Sequence, residues 1–585
     1  MSYRDVLILC VCIVVAAGLL IVAASQLDYI NSQRHKMKLV ANEPLENAPP
    51  SLAFATVAMG AFRGLVVDVL WIRADELKNK GQFFDAKQLA EWITFLQPRF
   101  AKVWEFHSWN MAYNISVAMP ASQPQQRWRW VKNGYELLRD RGIPLNPNSI
   151  LLYRQLAWIF QSKIGAVTDD THKYYKLQLA LAIEPLLGPA NKEYFEALTK
   201  APAKLEEIIK DSNVASLIEA LASADESFGI DDKLVSKYLA LRQKPGRFKP
   251  TAFKVIDNFR GSKALEKFDT FAKAYQLRNV WKLEPALMND LNHKYGPIDW
   301  TDPNKHLSLD WRHPDSHAIY WAVKGLEVAG KKEYSIDETN TDRIVAHSLQ
   351  NLFRHGKIYI YKPVTAESSN ESPATSDEIF LRPDLRMFVT YNEAMLAILN
   401  KYKDIARQGV YESLTNGHRS MLINAVLVFY QGGLQPQALK IFNQLRKMYP
   451  RKEYNVSLVQ FARNRLIDEL KSMHIYDAKE MVTMLFRESY FRYAMHDDDE
   501  AFGREKLAKE VYRHYQSMYS DDQRIDLPDI KLLRYFALVD FLEDWQYPPN
   551  LRRNLLGRIR LERPKLAEQL EQQERKLLEE SEKSK

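Results

Sequence analysis

The densest group of side chains capable of chemistry lies in two adjacent segments of similar sequence. DWTDPNKH (299–306) is followed by DWRHPDSH (310–317), and each segment reads Asp-Trp, two residues, Pro, two residues, His. Their candidate metal ligands include His306, Asp310, His313 and His317. Imidazole and carboxylate together suit zinc, iron or manganese, and three such ligands with an open coordination position could activate a water molecule.

A purely structural role accounts for the same side chains. Proline is favoured at the first position of a helix, so Pro314 makes His313 a capping residue and Asp315 a favourable charge in the first turn. His317 is then a hydrogen-bonded histidine of the core, and the tryptophans are packing anchors, namely Trp300, Trp311 and Trp321. We expect this structural role, and therefore no catalytic residue, no bound metal and no cofactor.

Composition excludes several other classes of function. The sequence has no phosphate-binding loop, no dinucleotide fingerprint, no H-E-x-x-H and no G-x-S-x-G. Its two cysteines, Cys10 and Cys12, lie in an apolar segment, so the body of the chain has no disulfide framework and no thiolate site. The net charge of +8 is spread over 81 basic and 73 acidic side chains. Because no basic run stands out, we expect no nucleic-acid partner.

Two stretches with one common spacing predict the elements that position these residues. Small and apolar residues stand at the same offsets from a glycine in residues 70–98 and in residues 424–450. The matched positions are Ala74, Leu77, Gly81, Ala86, Ala90, Ile93 and Pro98, and then Val426, Phe429, Gly433, Ala438, Phe442, Leu445 and Pro450. Both stretches resemble the tetratricopeptide repeat (TPR), a pair of helices in contact through small residues. The resemblance implies an all-α, TPR-like α-solenoid, a superhelix of helix pairs that binds partners on its concave surface.

The amino-terminal region predicts attachment to a membrane. Val6–Ala24 contains nineteen residues without a charge or a proline, and as a helix it would span about 28 Å. We expect an uncleaved single-pass anchor in the cell membrane, although Ala23, Ala24 and Ser25 leave a cleavage site open. Basic residues after the span favour a cytoplasmic body, but long domains translocate regardless of nearby charge, and we expect an extracytoplasmic body. Ser51–Ile72 is expected to be the first solenoid helix, with its outer face resting on the membrane.

Changes in pattern along the chain predict its organisation. We assign the following regions: the transmembrane anchor (1–25), a juxtamembrane linker (26–50), a first TPR-like array (51–190), an irregular helical insert (191–300), a Trp/His/Pro loop with helices and a short strand (301–364), a disordered loop (365–380), a second TPR-like array (381–561) and a polar carboxy-terminal helix or tail (562–585). The strand is predicted at Lys357–Val364 because KIYIYKPV alternates apolar and polar residues.

Several longer phrases carry a second resemblance. They are FRGLVVDVLWIRADELKNKGQFFDAKQLAEWI, LQPRFAKVWEFHSWNMAYNIS, RWRWVKNGYELLRDRGIPLNPNSILLYRQLAWIFQSKIG, YGPIDW and HPDSHAIYWA. They are similar to uncharacterised membrane-anchored helical-repeat proteins of planctomycete and verrucomicrobial bacteria. This resemblance implies the architecture and supplies no catalytic or binding residue.

These patterns together predict a membrane-anchored scaffold without catalysis. Its partners would be other proteins or peptides, held in a groove of the helical repeats. Candidate groove residues are the polar side chains of Arg73, Lys78, His107 and Asn110. The alternative is a metal-dependent enzyme or a glycan-binding protein centred on residues 299–317.

Overall fold

The computed structural model describes residues 63–329, 335–361, 378–431, 434–470, 475–518, 527–543 and 547–583, with isolated positions at 15, 18, 26 and 29. The described residues are predominantly helical and contain only four short strands, which confirms the predicted all-α class. None of their helices is both long and apolar enough to cross a membrane. The anchor predicted at Val6–Ala24 lies outside the described residues except for Val15 and Gly18, so it stays a prediction.

The chain divides into two compact units. The first comprises residues 1–120 and 129–152, and the second comprises residues 121–128 and 153–585. Helices that begin before residue 150 are α1 (Arg63–Asn79), α2 (Phe83–Leu96), α3 (Ala101–Trp109), α4 (Ser116–Ala118), α5 (Pro124–Leu137) and α6 (Ile143–Leu145).

The second unit contains most of the helices. They are α7 (Ile150–Trp158), α8 (His172–Leu187), α9 (Lys192–Lys200), α10 (Leu205–Ile208), α11 (Ser212–Ala224), α12 (Leu234–Gln243), α13 (Pro250–Asn258), α14 (Lys263–Gln276), α15 (Pro285–Tyr295), α16 (Pro314–Ala329), α17 (Ile336–His355), α18 (Phe388–Tyr402), α19 (Gln408–Gln431), α20 (Gln435–Met448), α21 (Leu458–Leu470), α22 (Ile475–Ala494), α23 (Asp498–Met518), α24 (Ile530–Glu543), α25 (Pro549–Glu562) and α26 (Pro564–Lys583). The chain returns to this unit within α7, at residue 153, and the later helices lie wholly in it.

The structure contains a pair of packed helices at each of the two stretches, 70–98 and 424–450, where the common spacing predicted one. α1 packs on α2 across a turn in which Gly81 has a φ of 77°, a conformation that glycine adopts without steric cost. The small residues between the two helices, Ala74, Ala86 and Ala90, are completely buried. In the second stretch α19 packs on α20, and the matched apolar residues are buried there too: Val426, Phe429, Ala438, Phe442 and Leu445. Local spacing therefore located two helix pairs correctly.

Four helices in the described part of the chain continue into π-helical turns. These turns are Asn110–Ile115, Leu138–Gly142, Ile159–Ile164 and Leu277–Trp281. A π-helical turn inserts an extra residue and changes which side chain faces a neighbour. In the second unit this places Gln161 so that its Nε2 donates to Ile344 O at 2.8 Å and to Ser348 Oγ at 2.7 Å.

Two short antiparallel hairpins interrupt the helices. β1 (Ile298–Asp299) pairs with β2 (Asp302–His306), and β3 (Lys357–Tyr361) pairs with β4 (Glu378–Arg382). The predicted strand is present over its first five residues. Its partner β4 was not predicted, and the assignment of 365–380 as a disordered loop is wrong at 378–380. Ile358 and Ile379 pack on Leu177 and Ala180 of α8, which explains why this pair of strands is stable outside a larger sheet.

Candidate functional site

His313 and Asp315 occupy the start of α16 in the way that the structural interpretation predicts. The helix begins at Pro314, and Nδ1 of His313 accepts a hydrogen bond from the backbone N–H of Asp315 at 3.2 Å. This bond satisfies one of the free N–H groups of the first turn, as a capping side chain does. Burial lowers the pKa of His313 to about 3, so the ring is neutral near pH 7.

His317 is a buried, hydrogen-bonded histidine of the core. Its Nε2 lies 2.9 Å from Trp311 O and therefore donates to that carbonyl, and its ring stacks on Phe160 with centroids 5.0 Å apart. The indole N–H of Trp311 donates to Asn292 Oδ1 at 3.0 Å. Trp311 and Trp321 are buried packing residues, as expected. Trp300 is not, since 46% of its surface is exposed.

The remaining metal-ligand candidates are also engaged with protein groups. His306 lies in β2, and its Nδ1 is 3.1 Å from Gly296 O. Asp310 accepts hydrogen bonds from Arg312. Within the ranges that the structure describes, no three His, Cys, Asp or Glu side chains converge in a geometry that could hold a metal ion. The residues of the two segments, 299–306 and 310–317, thus do not form a metal site in this part of the described chain. Some of them belong to a buried polar cluster and others line a charged cleft, and both are described below.

The buried polar cluster surrounds the carboxyl group of Asp315. Asn351 Nδ2 donates to Asp315 Oδ1 at 3.0 Å, while the buried Oδ2 has no hydrogen-bond partner among the described residues. Burial raises the pKa of Asp315 to about 7. Lys176 of α8 is also buried, its Nζ donates to Ala166 O at 2.8 Å, and burial lowers its pKa to about 8. Opposite shifts of a buried acid and a buried base are expected because each charged form loses its hydration.

Sequence reasoning missed Lys176. The available signal was its position within α8, where it precedes Ile183 by seven residues and so falls on the helix face that carries buried apolar residues. A lysine in an apolar stripe has to find polar partners inside the protein. The spacing does not tell which helix supplies them, and here Asp315 of α16 supplies the nearby negative charge.

The charged cleft is built from two segments with the same Asp-x-Arg geometry, which we call the Asp-x-Arg loops. Residues 310–312 lie in a turn, and Asp384 caps the 3-10 turn Leu385–Met387. In the first loop Arg312 donates to Asp310 through Nε at 3.0 Å and Nη2 at 2.8 Å. In the second, Arg386 donates to Asp384 through Nε at 2.8 Å and Nη2 at 2.7 Å. In both loops the backbone N–H of the arginine also donates to the aspartate. The bidentate pairs hold both guanidinium planes in fixed orientations.

The cleft has a volume of about 420 Å³ and mixes these charges with apolar wall residues. Its lining consists of Pro297, Ser308, Leu309, Asp310, Arg312, Leu352, Gly356, Lys357, Ile358, Asp384, Arg386 and Met387. Arg312 also reaches Glu184 through Nη1 at 3.1 Å, and its carboxylate partners raise its pKa above the ordinary value. The Nζ of Lys357 is 3.9 Å from Asp497 Oδ1. The cleft therefore presents oriented donors and acceptors, which suits recognition of a polar ligand.

The four candidate groove residues of the first unit do not form one surface. Arg73 is exposed and pairs with Glu76 at 2.8 Å, while Lys78 is half-buried and pairs with Asp75 at 2.6 Å. His107 and Asn110 are buried, and Asn110 Nδ2 donates to Phe83 O at 2.9 Å. Burial lowers the pKa of His107 to about 3. The prediction that these two residues line a groove is therefore corrected, because α3 and its π-helical turn direct them into the core.

Comparison with known proteins adds no further constraint on the site. No protein-family model matches the chain, and no curated protein matches it in sequence. The resemblance to tetratricopeptide proteins accordingly stays a prediction.

Proposed function

We propose that this chain is a membrane-anchored helical-repeat scaffold without catalysis of its own, which binds a segment of a partner protein in the charged cleft. The anchor is the apolar segment Val6–Ala24, and stacked helix pairs form the TPR-like superhelix that carries the cleft. The observation that supports partner binding most directly is the pair of Asp-x-Arg loops, with both guanidinium groups already oriented.

The geometry of the loops favours binding because the arginines are ordered before a ligand arrives. A free arginine loses on the order of 1 kcal/mol of side-chain entropy when it is fixed at an interface. Arg312 and Arg386 are already fixed by their pairs with Asp310 and Asp384, so they lose little further side-chain entropy when a partner binds. The apolar wall residues Leu352, Ile358 and Met387 would cover aliphatic side chains between the polar contacts. Such a mixture fits a peptide segment that alternates polar and apolar residues.

The alternative, a metal-dependent enzyme or glycan-binding protein, has less support from the geometry. The Nε2 of His317 and the Nδ1 of His306 each donate a hydrogen bond to a backbone carbonyl. Coordination through these nitrogens would break both bonds. Metal analysis of the purified chain tests this function directly. Stoichiometric zinc, iron or manganese that is lost on substitution of His306, His313 and His317 would establish the alternative.

Crosslinking in cells tests the scaffold function. A photoreactive amino acid is placed at Ser308, which lines the cleft, and separately at Leu561, which is exposed on α25. We expect a reproducible protein adduct from position 308 that is absent from position 561. The double variant R312Q/R386Q should weaken that adduct at least about tenfold, since two charge-assisted contacts are lost. Failure to recover any reproducible neighbour at position 308 would refute partner binding in the cleft.

A further inference from the structure

The first described helix, α1, has apolar residues on two sides. One side is buried in the first unit through Val67, Ala74 and Leu77. On another side Leu65, Val69 and Ile72 are exposed by 62%, 67% and 69%. Their spacings of four and three residues place them in line on one face of the helix. We name these three residues the outer stripe.

The outer stripe requires an explanation that a single exposed leucine does not. Isolated apolar residues are common on protein surfaces, but aligned ones form a patch that water disfavours. A helix that is apolar on all sides is typical of a protein core or a lipid environment. In the described residues only the inner side of α1 has a protein cover.

We infer that the outer stripe lies on the surface of a lipid bilayer. The residues just before α1, SLAFATVAMGAF (51–62), contain no charge, and only Arg63 and Gly64 stand between this apolar sequence and Leu65. The proposed anchor ends at residue 24, and residues 25–50 are all that separates it from this apolar stretch. A tether of this length holds the helix at high effective concentration near the bilayer. The inference therefore rests on the anchor of the proposed function, but it does not involve the charged cleft.

Charged residues around the stripe set the depth of the contact. Asp68 is exposed and lies between Leu65 and Ile72 along the chain, next to the stripe on the helix surface. Its carboxylate has to stay hydrated, so α1 rests among the headgroups and only the three aliphatic side chains reach the acyl boundary. Glu76 follows Ile72 by four residues on the same face, and it pairs with Arg73 at 2.8 Å and with Lys80 at 3.2 Å. These charges stay at the level of the headgroups and limit the apolar contact to the three stripe residues.

A lipid-quenching experiment tests the contact with the full chain. In a C10S/C12S background, Val69→Cys is labelled with an NBD fluorophore and the protein is incorporated into nanodiscs of phosphatidylcholine and phosphatidylglycerol. The control carries the label at Leu561→Cys, which is 84% exposed. Nitroxide-labelled lipid should quench the label at position 69 at least about fivefold more than the label at 561, and aqueous iodide should show the reverse order. The variant L65Q/I72Q, labelled at 69, should lose most of the lipid quenching.

Three other outcomes would overturn the inference, and each would show a different reason. Incorporation into nanodiscs with equal iodide quenching at 69 and 561 would show that the anchor holds but the stripe faces water. A label at 69 that neither quencher reaches would show a protein cover, and dilution distinguishes a second copy from residues 30–62 of the same chain. A chain that does not enter nanodiscs would overturn the anchor of the proposed function together with the inference.

Discussion

Replacing Asp315 with asparagine should remove a loss of stability that the native chain undergoes as pH rises. The carboxyl group is completely buried, and burial raises its pKa to about 7. Unfolding returns it to water, where aspartate ionises near pH 4. Between these values the unfolded chain releases a proton that the native chain retains. The stabilising contribution is thus fully present below about pH 4 and is lost as pH rises to about 7.

The size of this effect follows from the pKa difference. About three pKa units correspond to about 4 kcal/mol, of which about 3 kcal/mol falls between pH 4.5 and pH 7. Asparagine cannot ionise, and its oxygen can still accept the hydrogen bond from Asn351. The unfolding free energy of D315N minus that of the native chain should therefore increase by about 3 kcal/mol over this range.

The measurement is urea unfolding followed by tryptophan fluorescence at pH 4.5, 5.5, 6.5 and 7. The exposed residue Asp404 supplies a matched control, and D404N should leave the native pH dependence unchanged. Groups that do not interact with Asp315 are common to both proteins and cancel in the difference. Lys176 does interact with Asp315, so the series stops at pH 7, below the pKa of about 8 of that lysine. Parallel stability curves for D315N and the native chain would refute the reasoning, because they would show that the carboxyl ionises as it does in water.

Three further substitutions have defined expectations. Gly134→Ala would bring a Cβ within 2.8 Å of a backbone oxygen, so we expect a loss of about 1–3 kcal/mol in urea unfolding. Gly417→Ala places its Cβ where nothing lies within 4 Å, so the free energy of unfolding should instead rise by up to about 1 kcal/mol. Equal changes at positions 134 and 417 would contradict the close packing at Gly134. Asp169→Asn removes the carboxylate that neutralises Arg127 and Lys163 inside the second unit, and thermal unfolding should show a loss of about 3–5 kcal/mol. A melting temperature unchanged by D169N would show that these charges are solvated.

The sequence by itself determined the helical class, two helix pairs and one strand. Helix periodicity and the common spacing around Gly81 report which residues of a helix must be buried, and this information is local. Pro314 similarly indicated the start of α16 and the capping role of His313, because proline restricts the backbone of its own turn.

Tertiary structure alone decided the sites. Periodicity identifies an apolar or polar face but not the element that covers it, so the pairing of β3 with β4 and the approach of Lys176 to Asp315 could not be predicted. The same reason explains the burial of His107 and Asn110, whose polar character had suggested an open groove. The charged cleft depends on two Asp-x-Arg loops that are distant in sequence and line the same cleft only when the helices between them have packed.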